Sequence, residues 1–336
     1  MKKYLPFILS VLLVFTNTDC KHNPVTPPED TPGRRDYTWT ADTLKVNNGD
    51  LFYMSSLWGS SPTDIWAVGY GSSSLVSLWH YDGVSWSRNT SGLSHNLQCI
   101  YGLAQNAVWA CDAPGNGVYY YNGQQWSNIY YYNGSGTYLY LNNVWGDAYN
   151  NIFAVGGIDT IANGNYKGAI MHFDGSTWSF MSLPDYRVDF ASMRRASSAS
   201  NKYCLMATRF ESFGDTDKIF EYDGNVIKEF YSGQLKASVN AMEDNAYVCI
   251  GQIIYKYQND QLSTWKDFSG TQHRGRIWGR SEIDFFTVGS NGLTHYNGTD
   301  LVTLYPTNLF INDVFVFQQD IFILCNNKII IHGKLQ

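Results

Sequence analysis

The sequence predicts an all-β fold, a β-propeller of seven four-stranded blades closed by an N-terminal strand, on three observations. A 14-residue frame, SLWGSSPTDIWAVG at 56–69, returns as NVWGDAYNNIFAVG at 143–156 and RIWGRSEIDFFTVG at 276–289. These copies start 87 and then 133 residues apart, two and three units of about 44, the period of four-strand propeller blades. A second landmark follows each copy: HYDGVSW at 80–86, HFDGSTW at 172–178 and HYNGTDL at 295–301. Weaker copies stand between them, YYNGQQW at 120–126, EYDGNVI at 221–227 and KYQNDQL at 256–262. Finally, the chain ends one strand short. DVFVF, DIFILC and KIIIHG make three strands of a last unit, and DYTWTADTL at 36–44 supplies the missing one.

Residues 1–20 carry Lys2 and Lys3, an apolar run from Leu5 to Phe15, and then Cys20. The run is too short for a membrane-spanning helix, which takes about 20 residues, and reads as an export signal. Residues 21–35 hold four prolines after Cys20 and almost no apolar side chains, so they are expected to form an extended tether. Residues 36–336 are read as a single propeller domain.

Within each unit an apolar first strand runs to the Trp-Gly, a polar turn follows, and a strand such as DIWAVG is rich in β-branched and aromatic residues. A connection of variable length leads to the third strand, which ends at His-Tyr. Asp-Gly or Asn-Gly then turns the chain tightly into the fourth strand. Six such units and the composite seventh close the ring and leave no open sheet edge to invite aggregation. Composition agrees, with 16% aromatic and only 15% charged residues, where globular chains average about a quarter charged. The net charge of -6 and the lack of a basic stripe argue against a nucleic-acid partner.

Cys99, Cys111, Cys204, Cys249 and Cys325 have no metal-ligand spacing, and four of them lie in apolar stretches, as small hydrophobes do. Cys99 and Cys111 flank a hairpin symmetrically, which makes them the one candidate disulfide. No cofactor, metal or catalytic motif is present.

Repetition separates blade residues from site residues. His80, His172 and His295 recur at one blade position and are read as structural, each bonding backbone near its turn; the same holds for Asp82, Asp174 and Asp223. Trp58, Trp145 and Trp278 are read as packing residues. Charges that do not recur collect in blades three to six, near long connections at 156–169 and 207–218. On this ground Arg187, Asp189, Arg194, Arg209, Arg274 and Arg276 are the candidate ligand-binding residues. Arg194 and Arg195 stand where other blades have Trp-Gly. Tyr131 and Tyr138, in a tyrosine-rich connection at 128–141, join them as rings able to stack on a sugar.

The blade pattern W-G-x4-D-[IV]-W-A-V-G followed by H-[YF]-D-G-x-x-W resembles that of exported bacterial β-propeller lipoproteins. The resemblance covers 36–336, strongly in blades one, three and six and weakly in four and five. The first twenty residues likewise resemble a lipoprotein signal, implying lipidation of Cys20, although Asn17 and Asp19 stand where such signals carry leucine and a small residue. FDGSTW is similar in part to the sialidase Asp-box, itself a structural turn. Together these readings lead to the expectation of a non-catalytic binding or scaffold propeller at the outer membrane or cell surface, with a periplasmic or secreted soluble protein as the alternative. It would hold a protein or glycan at its loop-rich channel mouth and touch membrane only through its lipid. The alternative is a carbohydrate-active hydrolase or lyase working in the same mouth.

Overall fold

The computed structural model describes residues 33–46, 51–72, 77–89, 93, 96–112, 115–160, 165–243 and 245–336. Residues 1–32, where the export signal, Cys20 and most of the tether are expected, lie outside the described residues. Seven four-stranded antiparallel sheets follow one another along the chain, and no helix occurs among the described residues.

Blades one to six each use four consecutive strands, the first innermost. Blade seven places Ile311–Val316, Asp320–Cys325 and Ile329–Leu335 beside Tyr37–Thr43, with register running from Tyr37 opposite Leu335 to Thr43 opposite Ile329. The N-terminal strand therefore closes the ring. Gly33 and Arg35, assigned by sequence to the tether, are already held against blade six: Gly33 N donates to Asn297 O, and Arg35 donates to His295 Nδ1 and His295 O.

Packing lies in the seams between blades. Trp109, Leu141 and Met171 fill the seam of blades two and three, and Phe190, Phe220 and Tyr222 that of blades three and four. Each fully buried aromatic ring contributes gross stabilisation of about 4–6 kcal/mol, from roughly 150–250 Å² at about 25 cal/mol per Å².

The two recurring landmarks meet in space. His80 Nε2 lies 2.6 Å from Asp64 Oδ1, His295 Nε2 2.8 Å from Asp284, His332 Nε2 2.7 Å from Asp320, and His172 Nε2 2.9 Å from Asn151 Oδ1. These histidines are structural as expected, but they bond the acidic or amide side chain that opens strand two rather than backbone. In blade four Lys202 and Glu221 take these two positions with the charges reversed, 3.2 Å apart. The tight turns divide their labour. Asp82 Oδ1 accepts from Val84 N and Ser85 N while Gly83 alone takes a positive φ of 90°.

Cys99 and Cys111 stand directly opposite each other on paired strands, both buried and both free thiols. The long connections prove to be mostly sheet. Asn151–Thr160 and Asn165–Phe173 extend blade three into 156–169, and Tyr203–Arg209 and Thr216–Tyr222 reduce 207–218 to a short tip.

Candidate functional site

The seven innermost strands surround a central cavity of about 660 Å³. Its upper mouth, where strand two turns to strand three and strand four leads to the next blade, lies at the N-terminal ends of the inner strands. Most inner strands carry a register shift at one level, where Ser55, Gln98, Asn142, Ala191 and Asn312 are the extra residues. A bulge re-aims its residue out of the ladder. Here the bulged polar side chains tie neighbouring blades: Ser55 Oγ donates to Leu97 O, Asn142 Nδ2 to Phe190 O, and Asn312 Nδ2 to Met54 O. Below them Trp58, Tyr101, Trp145, Trp278 and Phe315 line the lower part, with Arg194 and Ala241 in blades four and five.

Among the residues singled out by sequence, Asp189, Arg194 and Arg276 line this cavity. Asp189 is at the rim. Its Oδ1 accepts from Asn142 Nδ2 at 2.7 Å, and burial pushes the carboxyl up to about 6. Arg276 stacks on Trp278, 4.7 Å from the ring, and reaches Asp313 Oδ1 at 3.1 Å. Arg194 donates through Nη1 to Asn143 Oδ1 at 2.7 Å and Met193 O at 2.6 Å. Burial pulls its guanidinium below the ordinary value.

The other five residues do not line the cavity. Arg209 pairs with Glu211 at 2.9 Å, Arg274 donates to Thr271 O and His273 O, and Arg187, Tyr131 and Tyr138 are exposed. His273, beside Arg274 in sequence, is a core residue bonded to Thr287, and burial pushes it down to about 4.

Sequence reasoning missed the shelf beside Asp189. The Tyr140 and Tyr166 rings are 6.3 Å apart and Tyr166 and Phe210 5.6 Å apart. Phe210 is 54% exposed and lines the cavity, and Phe213 beyond it is 98% exposed. Asp159 lies close enough to raise both tyrosines, after burial, and its buried Oδ1 has no hydrogen-bond partner among the described residues. The available signal was the pairing of a non-repeating Phe-x-x-Phe tip with Tyr140 and Tyr166 in the neighbouring blade.

Asp189 makes stability depend on pH. Unfolded, an aspartate titrates near 3.9, so between about pH 4 and 6 the native state keeps a proton that the unfolded chain releases. Its contribution is therefore fully present below about pH 4 and is lost as pH rises through 6. Asp189→Asn is expected to be more stable than wild type by about 2 kcal/mol above pH 6, with the gap closing towards pH 4. Urea melts of both proteins across that range check it.

No family model matches the chain, and no curated protein matches it by sequence. Solved structures do match. YCF48 bound to D1 peptide aligns with a TM-score of 0.62 at 16% identity, over 91% of this chain and 99% of its own. Virginiamycin B lyase from Staphylococcus aureus aligns with a TM-score of 0.64 at 12% identity, over 89% of this chain and 100% of its own. The extracellular domain of BT4673 from B. thetaiotaomicron gives 0.55 at 13%, over 88% of this chain and 40% of that one. At such identities the likeness is one of fold. The chain is a seven-bladed β-propeller. Its neighbours include a peptide complex and a lyase, so architecture by itself does not assign an activity.

Proposed function

We propose that this propeller is a non-catalytic binding scaffold on the cell envelope, anchored by lipid at Cys20, that holds a segment of a partner protein at its upper mouth. The observation that carries this reading is the shelf of Tyr140, Tyr166, Phe210 and Phe213 opening onto a polar shaft. Exposed aromatic surface beside a cavity marks an interaction site. Asp159 and Asp189 beside those rings favour a segment with a basic as well as an apolar side chain. The peptide-bound YCF48 structure and the extracellular BT4673 domain support protein binding and export at the level of fold.

The hydrolase alternative is less well served. Cleaving a glycosidic bond asks for two carboxyl groups roughly 5–9 Å apart. The lining carboxylates are Asp189 and Asp313. Asp313 already accepts from Ser56, Leu57 N, Arg276, Trp278 and Val314 N, which leaves one carboxyl group for the chemistry.

A photo-crosslinking residue at Phe213, compared with one at Val84 on the opposite face, tests the reading in intact cells. A discrete protein adduct is expected from 213 and not from 84, and Cys20→Ala is expected to move the protein and its adduct from the membrane to the soluble fraction. Identical adducts from both positions, or none, would sink the scaffold reading. A Cys20→Ala protein that stays with the membrane would sink the anchor. A glycan ligand would give no protein adduct and retention on a glycan array that Tyr131→Ala and Tyr138→Ala weaken.

A further inference from the structure

Five blades place an aromatic ring at the lower level of the channel, Trp58, Tyr101, Trp145, Trp278 and Phe315, and blade four places Arg194 there. This guanidinium is half used. Nη1 donates to Asn143 Oδ1 and Met193 O, while Nε and Nη2 have no protein acceptor among the described residues. Among the described residues no carboxylate is paired with it, and Asp313 is paired with Arg276 instead. Arg194 is half-buried, and a cation partly withdrawn from water without a counter-ion is disfavoured, while arginine stays charged under burial. The Nε and Nη2 edge is the fork that matches the two oxygens of a carboxylate, with parallel charge-assisted hydrogen bonds. Ser192 and Asn240, two further polar side chains, line the same cavity.

We infer that Arg194 is the receptor for a carboxylate that enters the channel from the upper mouth, carried by the chain end of a bound protein segment or by a small free acid. A monoanion fits better than a phosphate dianion, since the four charged lining residues, Arg194, Arg276, Asp189 and Asp313, sum to zero when all are ionised. The group is also deep. Four ladder rungs separate Asp189 at the rim from Arg194, the bulge at Ala191 taking up the fifth step, about 13 Å at roughly 3.3 Å per residue, so only a slim chain end or a small molecule reaches it. For the protein-borne carboxylate this inference rests on the mouth being the ligand site, and the outcomes below separate the two.

The probes are benzoate with benzamide, and acetyl-Gly-Gly-Phe as free acid and as amide, titrated by saturation-transfer NMR and calorimetry into wild type, Arg194→Gln and Arg194→Trp. Arg194→Trp restores the aromatic ring of the other blades and keeps the test open should the glutamine variant misfold; comparing acid with amide requires no variant. The acids are expected to bind wild type saturably, about tenfold or more tighter than their amides, and to lose that preference in both variants. Binding of benzoate alone assigns a small acid as the source, and binding of the peptide acid alone assigns a chain end. The inference is overturned if neither acid binds saturably, or if the variants bind them as tightly as wild type. A Phe213 adduct without any acid preference sinks the carboxylate receptor and leaves the scaffold; acid preference without an adduct does the reverse.

Discussion

A chain lacking residues 33–44 is expected to lose its cooperative melting transition or to melt with a stability lower by on the order of 5 kcal/mol or more, most of what a typical domain has. The deletion removes a ladder of seven paired residues from Ile329–Leu335 and turns that strand into an open edge. It also strips three anchors from blade six. Arg35 no longer bonds His295, Tyr37 no longer receives the 2.9 Å hydrogen bond from Arg280 Nη2, and Trp39 no longer packs against Tyr305 at 4.8 Å. Leu44, 2% exposed, leaves its place against Phe52 and Phe322. Trp39→Ala isolates one part of this loss and is expected to cost about 2–4 kcal/mol, below a fully buried tryptophan because the ring is half-buried. Gly333→Val tests the same contact from the other side, since a Cβ there would come within 2.4 Å of the Trp39 ring. Adding a peptide of residues 33–46 in trans is expected to restore part of the transition. A truncated chain that stays monomeric and melts like the full one would show that the ring does not depend on this closure.

The closure was legible because it is a matter of counting. Turn chemistry is local, so a Gly at positive φ after Asp or Asn marks the third turn in blades one to four and six, and Asn259–Asp260 take its place in blade five. The partnership of His80 with Asp64 was half legible. Both residues recur, as do His295 with Asp284 and His332 with Asp320, but a separation of 11 to 16 positions hides the contact until the strands are paired. The exchange to Lys202 and Glu221 in blade four is the covariation that could have exposed it. The bulge level was missed because an extra residue in one strand leaves no mark on hydrophobic alternation. What it does leave is a polar residue three before the aromatic: Ser55 before Trp58, Gln98 before Tyr101, Asn142 before Trp145 and Asn312 before Phe315. The site was legible only in part. A charge that breaks a repeat directed attention to Asp189, Arg194 and Arg276 on the cavity and equally to Arg187, Arg209 and Arg274 outside it, since sequence position on a strand does not tell inward from rim.

Asp313→Ala is expected to cost about 3–5 kcal/mol, the range for stranding several partners of one partly buried charge. One carboxylate there joins three blades. Oδ1 accepts from Arg276 at 3.1 Å, Trp278 Nε1 at 3.3 Å and its neighbour Val314 N at 3.0 Å, and Oδ2 accepts from Ser56 Oγ at 3.3 Å and Leu57 N at 3.1 Å. Blade seven thereby holds blade six with one oxygen and blade one with the other, at the two seams that flank the composite sheet. The alanine leaves the Leu57 N–H without its acceptor, on a residue only 4% exposed, and leaves Arg276 held by Asn312 O and the Trp278 ring without its counter-ion. Water in the channel can replace part of the loss on the Arg276 side and little of it at Leu57. Asp313→Asn keeps one acceptor but turns amide protons towards Ser56 and Leu57 or towards Arg276, so an intermediate cost of about 2 kcal/mol is expected. Arg276→Ala alone removes a half-exposed ion pair and is expected to cost about 1 kcal/mol or less. The double variant Arg276→Ala with Asp313→Ala is then expected to be less destabilised than the sum, because the two share one interaction. Urea melts of the four proteins decide it. An Asp313→Ala cost below about 1 kcal/mol, additive with Arg276→Ala, would mean that the seams beside the closure are held by apolar packing alone. In that case Asp313 serves the channel rather than the ring.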